Sequence, residues 1–465
     1  MALLIVLASL CFLMFVAYRG YSVILFAPIA ALGAVLISDP GAVLPVFTGL
    51  FMDKMVVFVK LYFPVFLLGA VFGKVIELSG YSKAIVSSVI RLVGRERAML
   101  SIVVVCGLLT YGGVSLFVVV FAVYPFAAEM FRQGDIPKRL IPGTIALGAF
   151  SFTMDSLPGT PQIQNIIPTT FFKTNIYAAP WLGTIGGLFI FVVGLLYLDW
   201  RRRKAAAAGE GYGTQLLNEP EAFVQEKLAH PLVAILPLVL VGVMNKVFTL
   251  GIPQLYGSST SFVPAVVGKA APVVQEVSKV ASIWAVEGAL LVGILAVFVL
   301  AGRTVIGRFA EGSKAAVAGA LLASMNTASE YGFGAVIAAL PGFLVVANGL
   351  TAIPNPLVNE AITVSSLAGI TGSASGGMSI ALAAMADTFI QNAQAAGIPL
   401  EVFHRVASMA SGGMDTLPHN GAVITLLGVT GLTHRVSYRD IFAITLIKTT
   451  AVFFVIAVFY ATGIV

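Results

Sequence analysis

The chain has 465 residues, of which 58% are hydrophobic and only 10% charged, with a mean hydropathy of +0.98. A soluble domain carries roughly 25% charged residues, so this composition excludes a globular enzyme and implies a chain that crosses the membrane many times. The formal net charge of +6 fits basic cytoplasmic loops in such a chain, not a nucleic-acid partner.

Apolar runs of about one bilayer crossing recur along the whole length. The first half is predicted to hold spans at 2–17, 22–37 and 57–79, a re-entrant hairpin at 99–131, a broken helix at 140–172 and a span at 181–200. The run from Leu3 to Ala17 follows Met1 without a basic n-region or a small-residue cleavage site, and reads as a span, not a signal peptide. A polar stretch at 205–230, with Glu210, Glu219, Glu221 and Glu226, reads as a cytoplasmic linker. The second half follows with spans at 231–250 and 281–301, and a run at 315–350 too long for one straight helix. A hairpin at 358–392, a broken helix at 403–431 and a span at 440–462 complete it. Segments 42–56, 82–93 and 303–314 read as interfacial.

Basic residues alternate sides. Arg19, Lys83, Arg91, Arg95, Arg97, Arg132, Lys138, Arg139 and the run Arg201-Arg202-Arg203-Lys204 share one side, as do Arg303, Arg308, Lys314, Arg435 and Arg439 of the second half. Lys54 and Lys173 are among the few basic residues opposite. The positive-inside rule makes the first side cytoplasmic and puts both termini outside. An odd number of spans per half then inverts residues 231–465 relative to 1–204. The expected fold is an all-α polytopic membrane protein of two inverted-topology repeats. Each has about five spans, counting the broken helix, plus one re-entrant hairpin.

The repeat is legible in motifs about 260 positions apart. Met154-Asp155-Ser156-Leu157-Pro158-Gly159 returns as Met414-Asp415-Thr416-Leu417-Pro418-His419. Gly112-Gly113-Val114-Ser115-Leu116 returns as Gly376-Gly377-Met378-Ser379-Ile380, and Phe72-Gly73-Lys74-Val75-Ile76 as Phe333-Gly334-Ala335-Val336-Ile337. Pro158 and Pro161 cannot sit in a regular helix without freeing carbonyls, and Gly159 eases the break; Pro418 and Gly421 act likewise in the second copy. Irregular backbone in hydrocarbon survives only where it lines a cavity, and freed helix-end amides can hold an anion. Duplicated halves with broken helices at matching places mark a secondary transporter.

Candidate substrate contacts follow: Gly112, Gly113 and Ser115 at the first tip, Ser375, Gly376, Gly377 and Ser379 at the second, and Ser156, Thr160, Gln162, Thr416, His419 and Asn420 at the breaks. Asn165 can also hydrogen-bond a hydroxyl or carboxylate. Asp155, Asp415, Glu330 and His419 are candidates for ion coupling, because an acid in the membrane is costly unless paired or protonated and histidine titrates near neutrality. The bland alternatives are that each Asp caps its half-helix and that Glu330 is a structural hydrogen-bond partner. Gly69 and Gly73, spaced GxxxG, read as helix packing. His230, His404 and His434 sit at predicted loop edges with no specific role. Cys11 and Cys106 read as free buried thiols, and no GxGxxG, Walker loop, HExxH or paired-cysteine motif calls for a metal or cofactor.

The hairpin-plus-break pattern resembles the ion transporter superfamily, and Pro158-Gly159-Thr160-Pro161-Gln162 is similar to the Gly-Thr-Pro-Pro-Asn break of its dicarboxylate transporters. Over essentially the whole chain the resemblance is to the gluconate:proton symporter (gluconate permease) family. It is most specific at Gly412 to Val423, which is similar to the hydroxybutyrate-permease-like members. The resemblance implies a scaffold domain, a mobile transport domain, a homodimer and elevator-like movement. Gluconate members carry Pro-Pro-His-Pro-Gly-Pro and His-Val-Asn-Asp-Pro type breaks. Asp155 and Asp415 depart from that pattern and shift the expected substrate from gluconate to a smaller acid such as 3-hydroxybutyrate. The coupling ion is expected to be the proton, with sodium as the alternative. The lipid bilayer is the expected surround.

Overall fold

The computed structural model describes residues 1–19, 21–94, 97–213, 217–220, 228–265, 271–351, 353–418 and 420–465. The chain opens with α1 (Ala2–Tyr18) and α2 (Val23–Ser38). A 3-10 turn at Pro40–Ala42, started by Asp39 accepting from the Gly41 amide at 3.1 Å, leads through α3 (Val43–Pro45) and a π-helical turn, Val46–Phe51, into α4 (Met52–Leu78). The stretch expected at the interface, 42–56, is thus part of one apolar run, Pro40–Leu78. Next come α5 (Tyr81–Val93), the hairpin α6 (Ala98–Tyr111) and α7 (Leu116–Gln133), the broken helix α8 (Ile141–Ala149), α9 (Phe152–Asp155) and α10 (Ile163–Phe172), and α11 (Pro180–Ala207).

The second half begins with α12 (Pro231–Tyr256) and a two-stranded antiparallel ribbon, β1 (Ser259–Phe262) and β2 (Val273–Glu276). Then α13 (Val277–Ala339) spans 63 residues as two helical parts joined across a kink at Ala301. Laid straight it would reach about 95 Å against roughly 30 Å of hydrocarbon. The expected span 281–301 thus ends at the kink, and residues 303–314 lie in the helical part after it. The run at 315–350, expected to be too long for one straight helix, breaks at Leu340, where Pro341 starts α14 (Pro341–Thr351). The hairpin α15 (Pro356–Thr371) and α16 (Ala374–Ala396) follows, then the broken helix α17 (Leu400–Gly412), a 3-10 turn Gly413–Thr416 and α18 (Gly421–Thr430), and last α19 (His434–Thr462). Hairpin then broken helix then long helix is the order in both halves.

Among the described residues, five helices are long and apolar enough to cross a membrane: Pro40–Leu78, Pro180–Ala207, Pro231–Tyr256, Val277–Ala339 and His434–Thr462. The outer faces of α2, α11, α12 and α13 expose Leu36, Leu196, Leu250 and Val299, an apolar surface of the kind a bilayer covers. The fold is an all-α polytopic membrane protein. Inside, α13 packs on α4, α12 and α16, α10 on α17, and α11 on α19.

Four details differ from expectation. Cys11 is exposed, while Cys106 is buried. A Cβ on Gly73 would touch Val118 and Val114, but one on Gly69 would meet nothing within 4 Å, so the GxxxG pair is not one packing surface. Arg201 of the basic run turns inward, 7% exposed, to pair with the fully buried Asp440 at 2.5 Å. The linker, expected only as a connector, is docked on the helices. Tyr212 donates its amide to Asp135 at 2.9 Å, Lys138 pairs with Glu219 at 2.6 Å, and Arg139 pairs with Glu210 at 2.6 Å. Asn218 donates to the Gly428 carbonyl at 2.8 Å, across to the second half. Glu221, Glu226 and Arg95 lie outside the described residues.

Candidate functional site

Each hairpin tip lies beside the break that follows it. At the first tip Gly113 adopts φ +93°, open to a residue without Cβ. Its neighbours are Leu290, Pro161 and Phe72, and a Cβ on Gly112 would overlap Leu238. This tip is thus packed in apolar side chains. Two bonds hold it to the break: Gln162 Nε2 donates to the Thr110 carbonyl at 2.7 Å, and Tyr111 Oη donates to the Pro158 carbonyl at 2.7 Å. Ser115 starts α7 with no side-chain cap bond. Gly159, at φ +83°, turns the chain between the two prolines.

The second tip repeats this with polar partners. Asn420 Nδ2 donates to the Gly372 carbonyl at 2.9 Å, while Asn420 Oδ1 caps α18 by accepting from the Ala422 amide at 2.7 Å. The hydroxyl of Ser373 accepts from the Gly376 amide at 3.1 Å, capping α16. Ser375 Oγ lies 3.4 Å from Thr327 Oγ1. A Cβ on Gly376 would collide with the Glu330 carboxylate, so glycine there admits the acid, whose Oε2 has no hydrogen-bond partner. Gly377 serves packing, against the backbone of α15 at Ala368. Ser379 Oγ is buried and unpartnered.

The two breaks meet. Asp155 is fully buried; its Oδ1 accepts from Ser156 Oγ at 2.6 Å, and its Oδ2 lies 3.3 Å from Lys448 Nζ without forming a hydrogen bond. Asp415, 7% exposed, accepts at Oδ2 from Gln164 Nε2 at 2.7 Å. Its Oδ1 has only longer donors, the Ala374 amide and Asn420 Nδ2, both at 3.4 Å. Gln164 belongs to the first break and Asp415 to the second, so the bond ties the halves together. Thr160 Oγ1 donates to the Thr153 carbonyl at 2.7 Å, and Thr416 Oγ1 shares a hydrogen bond with Thr445 Oγ1 at 2.6 Å; both hydroxyls are already engaged. His419 lies outside the described residues.

Several residues here were not singled out from sequence. Arg405 is completely buried, donating from Nη1 to the Asp155 carbonyl at 2.9 Å and Asn165 Oδ1 at 3.0 Å, and from Nη2 to the Ala178 carbonyl at 2.7 Å. Asn165 in turn donates to the carbonyls of Thr160 and Ile176, at 3.0 and 2.8 Å. These bonds satisfy backbone freed by the break, as membrane burial demands. His404, expected at a loop edge, is fully buried between Thr174 Oγ1 at 2.6 Å and Asn165 Oδ1 at 3.2 Å, because α17 starts at Leu400 and carries it inward. Lys448 and Glu360 are likewise buried ionisable residues of the second half. Both stand in plain view in apolar helices, where any ionisable residue is a functional candidate. Among the described residues, no three His, Cys, Asp or Glu side chains group to hold a metal.

No family model matches the chain. It is 59% identical over 476 residues to the "Uncharacterized transporter YxjC" of Bacillus subtilis (strain 168), with 100% of both chains covered. Among solved structures it is similar to the Alcanivorax borkumensis YdaH transporter at a TM-score of 0.48 and 15% identity, over 92% of this chain and 90% of that one.

Proposed function

The chain belongs to the family of the transporter YxjC, and from that premise we propose that this membrane transporter is a proton symporter for a small hydroxy-monocarboxylate of the 3-hydroxybutyrate type. It works in the bacterial inner membrane, as a homodimer with elevator-type alternating access. The observation that carries the reading is Asp415. Its carboxylate is buried at the meeting point of tip and break, and its nearest donors, Gln164, Asn420 and the Ala374 amide, are all neutral. A buried acid with neutral partners exchanges a proton at lower cost than one locked to a cation. Glu330, with a free Oε2 against Gly376, is the second proton candidate.

The substrate's own carboxylate is suited to the amino ends of α10, α16 and α18, where the helix-end amides carry partial positive charge. Ser115, Ser375 and Ser379 lie near those tips with hydroxyls able to meet the substrate hydroxyl, while Gln162 and Asn420 fix tip to break. Gluconate, with more hydroxyls, needs more hydrogen-bond partners than these few side chains supply.

The test is uptake of labelled 3-hydroxybutyrate into proteoliposomes under an inward proton gradient without sodium. Concentrative uptake that an uncoupler collapses, and that gluconate competes for poorly, is expected. Uptake only with sodium would replace the proton as coupling ion. No uptake in either condition would discard the substrate and return gluconate as the leading acid. Asp415→Asn should abolish concentrative uptake and leave exchange of labelled for unlabelled substrate; a variant that still concentrates substrate normally would remove Asp415 from coupling.

A further inference from the structure

Lys448 is the feature that proton symport leaves unused. Its ammonium, on a residue 1% exposed in the middle of α19, faces three oxygens. The Phe150 carbonyl accepts at 2.5 Å, the Gly412 carbonyl accepts in a still shorter bond, and Asp155 Oδ2 lies at 3.3 Å. The two carbonyls have a common origin. Phe150 is the C-cap of α8 and Gly412 the last residue of α17, so they end the first half-helices of the two broken helices. Such ends carry a partial negative charge, and the Gly412 carbonyl also opens the 3-10 turn that follows. Asp155 adds a carboxyl oxygen, Oδ2, that is buried and has no hydrogen bond. Gly412 makes the approach possible, since a Cβ there would overlap the Asp155 carboxylate.

Two half-helix carbonyl ends plus a carboxylate are the oxygen donors that bind a small monovalent cation in broken-helix transporters. Here the cation is attached to the chain. We propose that Phe150 O, Gly412 O and Asp155 Oδ2 form a monovalent-cation site that the Lys448 ammonium occupies permanently, so that the site takes no sodium in the natural chain and accepts sodium or a small alkylammonium ion once the side chain is cut back. This rests on reading the broken helices as the transport site. It goes further by giving Lys448 a role that a mobile coupling ion would otherwise fill.

The experiment is thermal unfolding of the purified full-length protein in detergent, in sodium, ethylammonium or choline chloride at matched ionic strength. It needs neither substrate nor proton gradient, so its outcome is separate from that of the uptake assay. The natural protein is expected to unfold at the same temperature in all three salts. Lys448→Ala is expected to unfold at a lower temperature in choline and to recover several degrees, saturably, in sodium or ethylammonium. Lys448→Met, which fills the space without charge, should show no such recovery, and adding Asp155→Asn to Lys448→Ala should remove it. Saturable stabilisation of the natural protein by sodium would overturn the proposal, as would a Lys448→Ala protein indifferent to all three cations. If Lys448→Ala does not fold in ordinary medium, it is expressed with ethylammonium. Monodisperse protein obtained only with the added cation supports the site, and none under any condition overturns it.

Discussion

Gln164 spends its amide on Asp415 at 2.7 Å while its own Oε1 stays buried and unpartnered. Removing that donor leaves the carboxylate with contacts of 3.4 Å alone. Gln164→Leu is therefore expected to cost about 1–3 kcal/mol, seen as a lower thermal midpoint, together with impaired proton-driven uptake. Glu360 makes the opposite case. Both its carboxylate oxygens are buried without a hydrogen-bond partner, so an amide there breaks no bond. Glu360→Gln should change stability by less than about 1 kcal/mol, measured in the same unfolding assay; a large loss would show that the carboxylate holds something in place. At this scale Asp155, Asp415 and Glu330, though not Glu360, were legible, because each stands in or beside a polar patch within apolar sequence. The cations were not. Lys448 and Arg405 bind mainly backbone carbonyls, and apart from Gly412, 36 positions from Lys448, these come from 227 to 298 positions away; no local pattern marks such partners.

At the scale of helices, the breaks were legible because proline and glycine act locally: Pro158, Pro161 and Pro418 interrupt hydrogen bonding wherever they fall. The long helix was not. Arg303, Arg308 and Lys314 marked a segment apart from the span before it, and α13 does kink at Ala301 just ahead of them, but its second part then continues as helix through them until Pro341 starts a new one. Space around glycines makes a matched test. Gly412 cannot accept a Cβ without displacing the Asp155 carboxylate, whereas a Cβ on Gly421 meets nothing within 4 Å. Gly412→Ala should cost about 1–3 kcal/mol through overpacking and abolish uptake. Gly421→Ala should leave both uptake and thermal midpoint near those of the natural chain.

Over the whole molecule, duplicated motifs disclosed the order of hairpin and broken helix in each half, but not how the connector ties the halves. Its polar composition marked it only as a connector. Only the folded chain brings Glu219 to Lys138 and Arg132 and Asn218 to Gly428. Burial pushes the Glu219 carboxyl up, but hydrogen bonds from Lys138 and Arg132 outweigh it and hold the group below its ordinary value of 4.5. A carboxyl lowered by folding adds stability that is complete above its unfolded pKa and is lost as pH falls through the folded one. The gap in thermal midpoint between the natural chain and Glu219→Gln is therefore expected to be open at pH 7 and to close below about pH 4.5; a gap that persists into stronger acid would mean that packing, not charge, holds the connector. Such duplication also bears on descent. The first-half counterpart of α19 is α11, which has no charged residue from Pro180 to Leu198, so the lysine has no twin. Whatever ancestor joined two equal halves, they are no longer interchangeable: a chain assembled from two copies of residues 1–204 would inherit two unaccompanied aspartates and no ammonium to settle either.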